Sequence, residues 1–559
     1  MTNSPNDRPN KIGVITRGSL SQGIDMKLDD NLSVEDMSAG SFVVIQGESY
    51  DFFAMITDAR IEAANEGILL HPPSADDDLL RQVMRGVSTY ATVALKPMLM
   101  MPNEGHQDLQ DEPARSVKTI PAHFSPVARA TDDDVARIFG HEANDGGQTY
   151  FHMGEPLGME GIPVCINLKR FVERSNAVFG KTGTGKTFLT RLLLCGTIKN
   201  DRAVNLIFDM HSEYGYSATV ENDGGTGFVK GLRDLFPSRV SIFSLDPKTT
   251  RQRRVTPDFE VRLYADQIDP DDILPLRDTL SLNPTAAESA YLVQQKHGRA
   301  WLQRILDADG PALQELAESC GAHQASLEAL KRKLSRFQRH DFFSTDSSRD
   351  KIDVIAALLE TIDQGKSIVF EFGRYASLDV YLLVANVITR RLRDAYEEKT
   401  NKYLQSKNEG DKPTPLIITI EEAHKFLSPG IARETPFGKI AREMRKFYVS
   451  LLVVDQRPSA IDEEVLSQIG TKIVAQLNDE KDIAAALVGT SGSSGLRQVL
   501  AGLDSKQQAL MLGHAVPMPI VVRSRTYDQT FFDAMTAQDD RPRPRTLEEA
   551  RKSIDSDFY

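Results

Sequence analysis

Eight consecutive residues, Gly180-Lys181-Thr182-Gly183-Thr184-Gly185-Lys186-Thr187, follow the pattern G-x-x-x-x-G-K-[ST]. The chemistry of such a loop is to hold the phosphates of a nucleoside triphosphate. Its glycines let the backbone curl so that successive N–H groups face the β-phosphate. The helix that follows adds the partial positive charge of its N-terminus. Lys186 is placed to reach the β- and γ-phosphates, and Thr187 to ligate Mg²⁺. The competing reading, a Gly-rich turn, asks for no particular flanks. Here Asn176 to Phe179 reads as a short buried strand and Phe188 to Leu194 as a helix, so Gly180 to Phe188 are the expected nucleotide-binding residues, with ATP and Mg²⁺ as ligands.

Hydrolysis needs a carboxylate for the metal shell and a base for the attacking water. Leu416-Ile-Ile-Thr-Ile420 reads as a buried strand, and Glu421, Glu422 and His424 follow where it leaves the sheet. That strand edge is where ligands sit in open α/β sheets. Glu421 is expected in the metal shell with Thr187, and Glu422 as the group that polarises water. Glu421 departs from the Asp more usual at the first of these positions. The alternative for the pair is a helix N-terminus that favours acidic residues. Asp209, at the end of Leu206-Ile-Phe208, is a further acid for the metal shell or the water, with His211 beside it; both residue types also make ordinary turns there. Ile440 to Phe447 reads as a helix that places Arg442 and Arg445 three apart on one face. It leads into the strand Leu451 to Val454, after which Gln456 can detect a γ-phosphate. An arginine from a neighbouring subunit stabilises transition-state charge; the alternative is a solvated basic helix face.

These groups need a parallel sheet to carry them. From about residue 160, apolar strands alternate with helices, at Leu206–Phe208, Val240–Phe243, Ser367–Phe370, Leu416–Ile420, Ser450–Val454 and Lys472–Ala475. Continuous apolar strands of this kind are buried on both faces. Residues 270–345 read as helical, with Leu327, Leu330, Leu334 and Phe337 on one face. Residues 11–100 read as short strands at Lys11–Thr16, Ser41–Gln46, Asp51–Asp58 and Tyr90–Leu95, a small barrel or sandwich. Polar residues 103–125 read as a connector, 400–415 as a mobile loop, Gly489 to Gly495 as a loop, and the chain after Val522 as an arm.

Composition adds bounds. The 559 residues, 40% apolar and 26% charged, describe an ordinary globular protein. The first ten residues are polar, and the longest apolar run, Ala91 to Pro102, is interrupted by Lys96; no signal peptide or membrane span is expected. Cys165, Cys195 and Cys320 form no paired or metal-binding spacing, as expected of reduced thiols in the cytoplasm. Residues 1–160 hold 12 Lys and Arg against 25 Asp and Glu, so the whole net charge of −13 falls there. Such a domain repels nucleic acid and suits a basic protein partner, or simply solubility. Arg251, Arg253 and Arg254, and Lys331 to Lys333 with Arg336 and Arg339, are two basic clusters that can contact phosphates. The second also reads as the solvent face of the helix.

Taken together, these residues resemble the HerA family, hexameric ATPases of the FtsK/HerA group. The resemblance is carried by Gly180–Thr187, Phe208-Asp-Met-His-Ser-Glu-Tyr214, Glu421-Glu-Ala-His424, and Ile440-Ala-Arg-Glu-Met-Arg-Lys-Phe447 followed by Val454-Asp-Gln-Arg-Pro-Ser459. It implies an α/β chain with a RecA-like P-loop ATPase core in two parts, 161–269 and 346–522, around a helical insertion at 270–345. A small N-terminal β-barrel at 1–105 and a connecting segment at 106–160 precede the core, and a C-terminal arm at 523–559 follows. It also implies a homo-hexameric ring with ATP at the subunit interfaces and double-stranded DNA in the central channel. Arg442 and Arg445 would act in trans, with Arg174 as a further interface candidate. The expected function is a ring motor that translocates on or unwinds DNA, for repair or antiviral defence. A NurA-type nuclease, or a sirtuin-like NADase or nuclease-like effector, would dock on the barrel. The alternative is an ATP-controlled hexameric scaffold that activates or restrains such an effector without processive unwinding.

Overall fold

The strand Gly23–Leu28 alternates half-buried and buried residues along its length, the period-two pattern of a sheet with one face on a core. In the computed structural model of the protein it is one of six strands that close a barrel. Their order is Gly23–Leu28, Lys11–Ser19, Pro126–Arg129, Phe42–Gln46, Tyr50–Ala63 and Thr89–Pro102, and the last pairs back onto the first. Ile15, Met26, Val43, Phe52 and Val93 fill its interior. The structure describes residues 10–65, 67–70, 72–74, 76, 78–84, 88–103, 114–143, 149–222, 225–345, 353–490, 493–504 and 507–536. These fall into two compact units. One takes the chain up to Phe171, Phe179–Lys186 and Gly470–Thr526; the other takes Val172–Val178, Thr187–Ile469 and the chain from Tyr527.

The first unit corrects the reading of 106–160 as a connector. Pro126–Arg129 is a barrel strand, paired on both sides; its proline stands at the first position, where a strand tolerates one. The helix Asp132–Phe139 follows, started by a capping box between Thr131 and Asp134. Residues 104–113 lie outside the described residues. The same unit holds an antiparallel sheet of Thr471–Ala475, Gln508–Gly513, Ile520–Ser524, Tyr150–Pro156 and Val164–Asn167. Lys472–Ala475 therefore pairs antiparallel with its successor, not as a member of an all-parallel sheet. The Gly489–Gly495 run is not all loop, because the helix Ser493–Ala501 begins within it. Gly495 permits this: a Cβ there would stand 2.9 Å from Thr57 on the barrel.

The second unit is built on a parallel sheet, ordered Phe259–Glu260, Val240–Ser244, Ser367–Glu371, Val204–Asp209, Leu416–Ile420, Val449–Asp455 and Asn176–Phe179. The five longest of these are buried throughout, as strands covered on both faces must be. Register sets Asp209 beside Glu371 and Phe208 beside Ile420. Four neighbouring strands thus end on, or run directly into, an acid: Glu371, Asp209, Glu421 and Asp455.

Helices Pro284–His297, Trp301–Asp307, Gly310–Cys320 and Gln324–Leu334 form the insertion. Leu327, Leu330, Leu334 and Phe337 are buried, although the α-helix ends at Leu334 and Phe337 sits on a 3₁₀ turn. The insertion is clasped at its base, where Leu263–Tyr264 pairs in parallel with Phe343–Ser344. Residues 400–415 are not a loop: the helix Leu378–Ser406 runs well into them and a 3₁₀ turn Glu409–Asp411 follows. Their polar side chains pair with one another, Lys402 with Asp411 at 2.8 Å and Lys412 with Glu409 at 3.0 Å. The expected arm starts inside a core strand, since Arg523 and Ser524 end Ile520–Ser524, and continues as a packed helix, Gln529–Thr536, with Phe531, Phe532 and Met535 buried; residues 537–559, with Pro542 and Pro544, lie outside the described residues. Among the described residues no helix is long and apolar enough to cross a membrane.

Candidate nucleotide-hydrolysis site

The buried strand Asn176–Phe179 delivers the chain to Gly180, and the helix Lys186–Lys199 carries it away. Between them Gly183 (φ +82°) and Gly185 (φ +90°) take left-handed conformations that a side chain would strain. Among the described residues, no atom lies within 4 Å of a Cβ built at either. That open cradle is the space a phosphate requires. The loop is braced by Lys181 N–H on the Gln476 carbonyl at 3.0 Å and by the Thr184 hydroxyl on the Lys181 carbonyl at 2.8 Å. Lys186 Nζ donates to the same carbonyl at 3.0 Å, which lays its ammonium along the loop.

In the second unit the Thr187 hydroxyl donates to Glu213 Oε2 at 2.9 Å. Phe188 meets the Tyr527 ring edge-on at 5.5 Å. Asp209 is buried, and its two oxygens accept the backbone N–H groups of Glu213 and Tyr214, both at 2.8 Å. It holds the turn that carries Glu213, while His211 is exposed. Tyr214 extends the network, donating its hydroxyl to Glu421 Oε1 at 2.8 Å. The other oxygen of Glu421 is buried without a partner among the described residues. Behind it lie Tyr381 and Phe426, 5.1 Å apart, and Phe372, 5.1 Å from Tyr381. Burial in these apolar surroundings, together with the charge of Asp209, raises the Glu421 carboxyl to about 8. Burial and Asp209 likewise raise Glu371 to about 7.

Glu421 thus holds its proton more tightly in the folded chain than in the unfolded one. Its burial destabilises the fold as pH climbs from the unfolded value toward 8, because the unfolded chain ionises first. Glu421→Gln is therefore expected to unfold at a higher temperature than the parent at pH 8.5, with the gap closing toward pH 5. Parallel melting curves at both pH values would refute the burial account.

Glu422 differs from its neighbour. It is half-buried, adopts φ +48°, and accepts from Gln456 Nε2 at 3.3 Å. A non-glycine residue in that conformation marks a position over-determined by its surroundings. Asp455 supplies much of that constraint: it accepts the His424 backbone N–H at 2.7 Å, faces His424 Nδ1 at 2.9 Å, and accepts the Arg457 N–H at 2.7 Å. The structure therefore brings together Thr187, Asp209, Glu421, Glu422 and Gln456 in one unit. Arg442 and Arg445 make no ion pair with these acids among the described residues. Arg442 lies half-buried in the last turn of the helix Pro436–Glu443, and Arg445 lies exposed on the 3₁₀ turn Met444–Phe447. The two are not on one continuous α-helix face as the sequence spacing implies, because the helix tightens at Met444. Glu213, Glu371 and Asp455 were missed as site residues. The last two ended strands that were legible, so an acid at a strand's C-terminal end was the available signal.

Among the described residues no group of three or more His, Cys, Asp or Glu side chains could hold a metal ion by itself. Mg²⁺ suits such a site only as a phosphate-bound ion that keeps its waters, with one hydroxyl and nearby carboxylates to orient it. Thr187 and the unpartnered oxygen of Glu421 fit that role.

Residues 151–392 match the family described as "Helicase HerA, central domain". This stretch is similar to a HerA central domain. The DNA double-strand break repair helicase HerA of Saccharolobus solfataricus is 25% identical over 504 residues, covering 88% of each chain. Its namesake from Pyrococcus furiosus is 23% identical over 441 residues, covering 74% of this chain and 75% of that protein. The solved bacterial conjugative coupling protein TrwBdeltaN70 aligns at 13% identity and a TM-score of 0.44, over 72% of this chain and 92% of that one. The HerA match takes in the phosphate loop, Asp209, Glu213 and Glu371, and the core is that of a P-loop ATPase. Glu421, Glu422, Arg442, Arg445 and Gln456 follow the matched stretch.

Proposed function

We propose that this protein hydrolyses ATP to ADP and phosphate to drive movement on double-stranded DNA, as a ring of six subunits working with a nuclease or defence effector. The observation that carries the reading is Glu422, held by Gln456 in a left-handed conformation at the end of a central strand, on a chain whose phosphate loop leaves an open cradle. Gly180 to Phe188 bind the nucleotide, and Lys186 reaches its β- and γ-phosphates. Mg²⁺, held by Thr187 with its water shell oriented by Glu421, would neutralise charge on those phosphates. Glu422 takes a proton from water as the water oxygen bonds to the γ-phosphorus and the bond to the bridging oxygen of ADP breaks. Gln456 orients Glu422, Asp209 fixes the loop between Thr187 and Glu421, and Arg442 and Arg445 reach the γ-phosphoryl group of a neighbouring subunit.

A second reading, a hexameric scaffold that controls an effector, is favoured by the state of the basic clusters. Arg251 is paired with Glu260, Arg336 with Asp379 at 2.9 Å, and Lys331 with a backbone carbonyl, which leaves less charge for DNA phosphates. The barrel unit is acidic and exposes Leu69, Leu70 and Leu79, a surface suited to protein contact.

The test is ATP hydrolysis by the purified protein with and without linear double-stranded DNA, with mass measured in the same buffer. A hexamer stimulated by DNA supports the motor; a hexamer indifferent to DNA supports the scaffold; a monomer that turns over freely refutes both rings. In the same assay Arg442→Ala or Arg445→Ala is expected to lower hydrolysis by about 10³-fold with mass unchanged. Mixing an Arg442/Arg445 double variant with Lys186→Ala subunits should restore some activity, and no restoration at any ratio counts against sites shared between subunits.

A further inference from the structure

Glu213 has no part in the mechanism above, yet its carboxylate accepts the hydroxyl proton of Thr187 at 2.9 Å. Its placement is fixed from several sides. Its own N–H is held by Asp209 at 2.8 Å, and its carbonyl accepts from Arg191 Nη2. Arg191 lies four residues after Thr187, one turn along the same helix. Before Glu213 the chain bends through Ser212 (φ +57°). After it, Tyr214 reaches Glu421 at 2.8 Å, whose second oxygen is buried and unpartnered among the described residues.

A threonine hydroxyl that ligates a cation through a lone pair keeps its proton and must donate it elsewhere. An acceptor on the far side fixes the rotamer, points the lone pair at the metal and makes the oxygen a better donor of electrons. We propose that Glu213 is the positioning residue for the metal-ligating hydroxyl of Thr187, and that Tyr214, the next residue, ties this arrangement to Glu421. The assignment rests on the nucleotide-binding reading of the phosphate loop.

The test is the Mg²⁺ dependence of binding of a fluorescent ADP analogue to the full chain. Glu213→Ala is expected to need about 10–100-fold more Mg²⁺ for half-maximal binding, the usual loss when a ligand's supporting partner is removed, while affinity in EDTA stays within about twofold. Glu213→Gln, which keeps an acceptor, should restore most of the Mg²⁺ response. Because Glu213 acts through Thr187, the double variant Thr187→Ala/Glu213→Ala should lose no more than Thr187→Ala alone. Should the alanine variant fail to fold, Glu213→Met, of similar length and without an acceptor, takes its place. A Mg²⁺ titration of either that overlays the parent's overturns the assignment of Glu213 alone. If the unaltered protein binds no nucleotide at any Mg²⁺ concentration, the nucleotide reading falls with it.

Discussion

Replacing Lys186 by alanine is expected to abolish useful nucleotide binding and to lower hydrolysis by at least about 10²–10³-fold, the cost of removing one pre-placed charge-stabilising donor. The magnitude follows from geometry. Lys186 Nζ already lies along the loop, 3.0 Å from the Lys181 carbonyl, so little reorganisation separates it from phosphate contact. Its removal leaves the fold in place, since the loop is braced by Lys181 N–H and the Thr184 hydroxyl. The readout is thermal unfolding with and without ADP and Mg²⁺. A bound ligand at 100 times its Kd stabilises the parent by about 2.7 kcal/mol, and the variant should show no such gain. A nucleotide-dependent shift equal to the parent's would remove Lys186 from the site.

The second large effect is expected at Glu422. Glu422→Gln keeps an oxygen to accept from Gln456 and keeps the side-chain length, but cannot take a proton from water. Turnover should fall by about 10²–10⁴-fold, the usual contribution of a positioned general base, while the ADP-induced thermal shift stays that of the parent. The contrast with Glu421 sharpens the test. Glu421 is buried and its carboxyl is raised to about 8, so at neutral pH it is a poor acceptor for a water proton unless a cation joins it. Glu422, half-buried and outside that apolar pocket, is the group able to do the work. Parent-like turnover in Glu422→Gln would pass the base to another residue.

The parts of this site that could be read from the chain are those where a local pattern and a chemical motif coincide. Gly180–Thr187 sits between an apolar tetrapeptide and a Leu-rich helix, and Glu421-Glu422 follows five residues that can only be a buried strand. What could not be read depends on neighbours distant in sequence. Glu213 gains its meaning from Thr187, and no spacing announces it; Glu371, legible only as an acid ending a strand, gains its meaning from Asp209 on the adjacent strand. The burial that moves Glu421 comes from rings on separate elements, Tyr381 and Phe426 among them. Composition misled where polar residues satisfy one another. Residues 400–415 look like a loop because they are charged, yet the helix runs to Ser406 and those charges pair with one another, Lys402 with Asp411 and Lys412 with Glu409. Pro126 looks like a linker proline because its tolerance at a strand's first position cannot be told from sequence. The strand Gly23–Leu28 escaped notice because its outward residues, Asp25 and Lys27, are charged.

The clasp between Leu263–Tyr264 and Phe343–Ser344 has a consequence for how this domain can change. Parallel strands require a crossover of about a dozen residues or more, and the helices between Tyr264 and Phe343 are that crossover. Because both ends are pinned to adjacent strands, the intervening chain behaves as a closed loop. Its closure entropy rises only with the logarithm of its length, about 0.6 kcal/mol for each doubling. Helices can therefore be gained, lost or exchanged there at small cost, as a cassette, with Asp209, Glu371 and Glu421 kept in register.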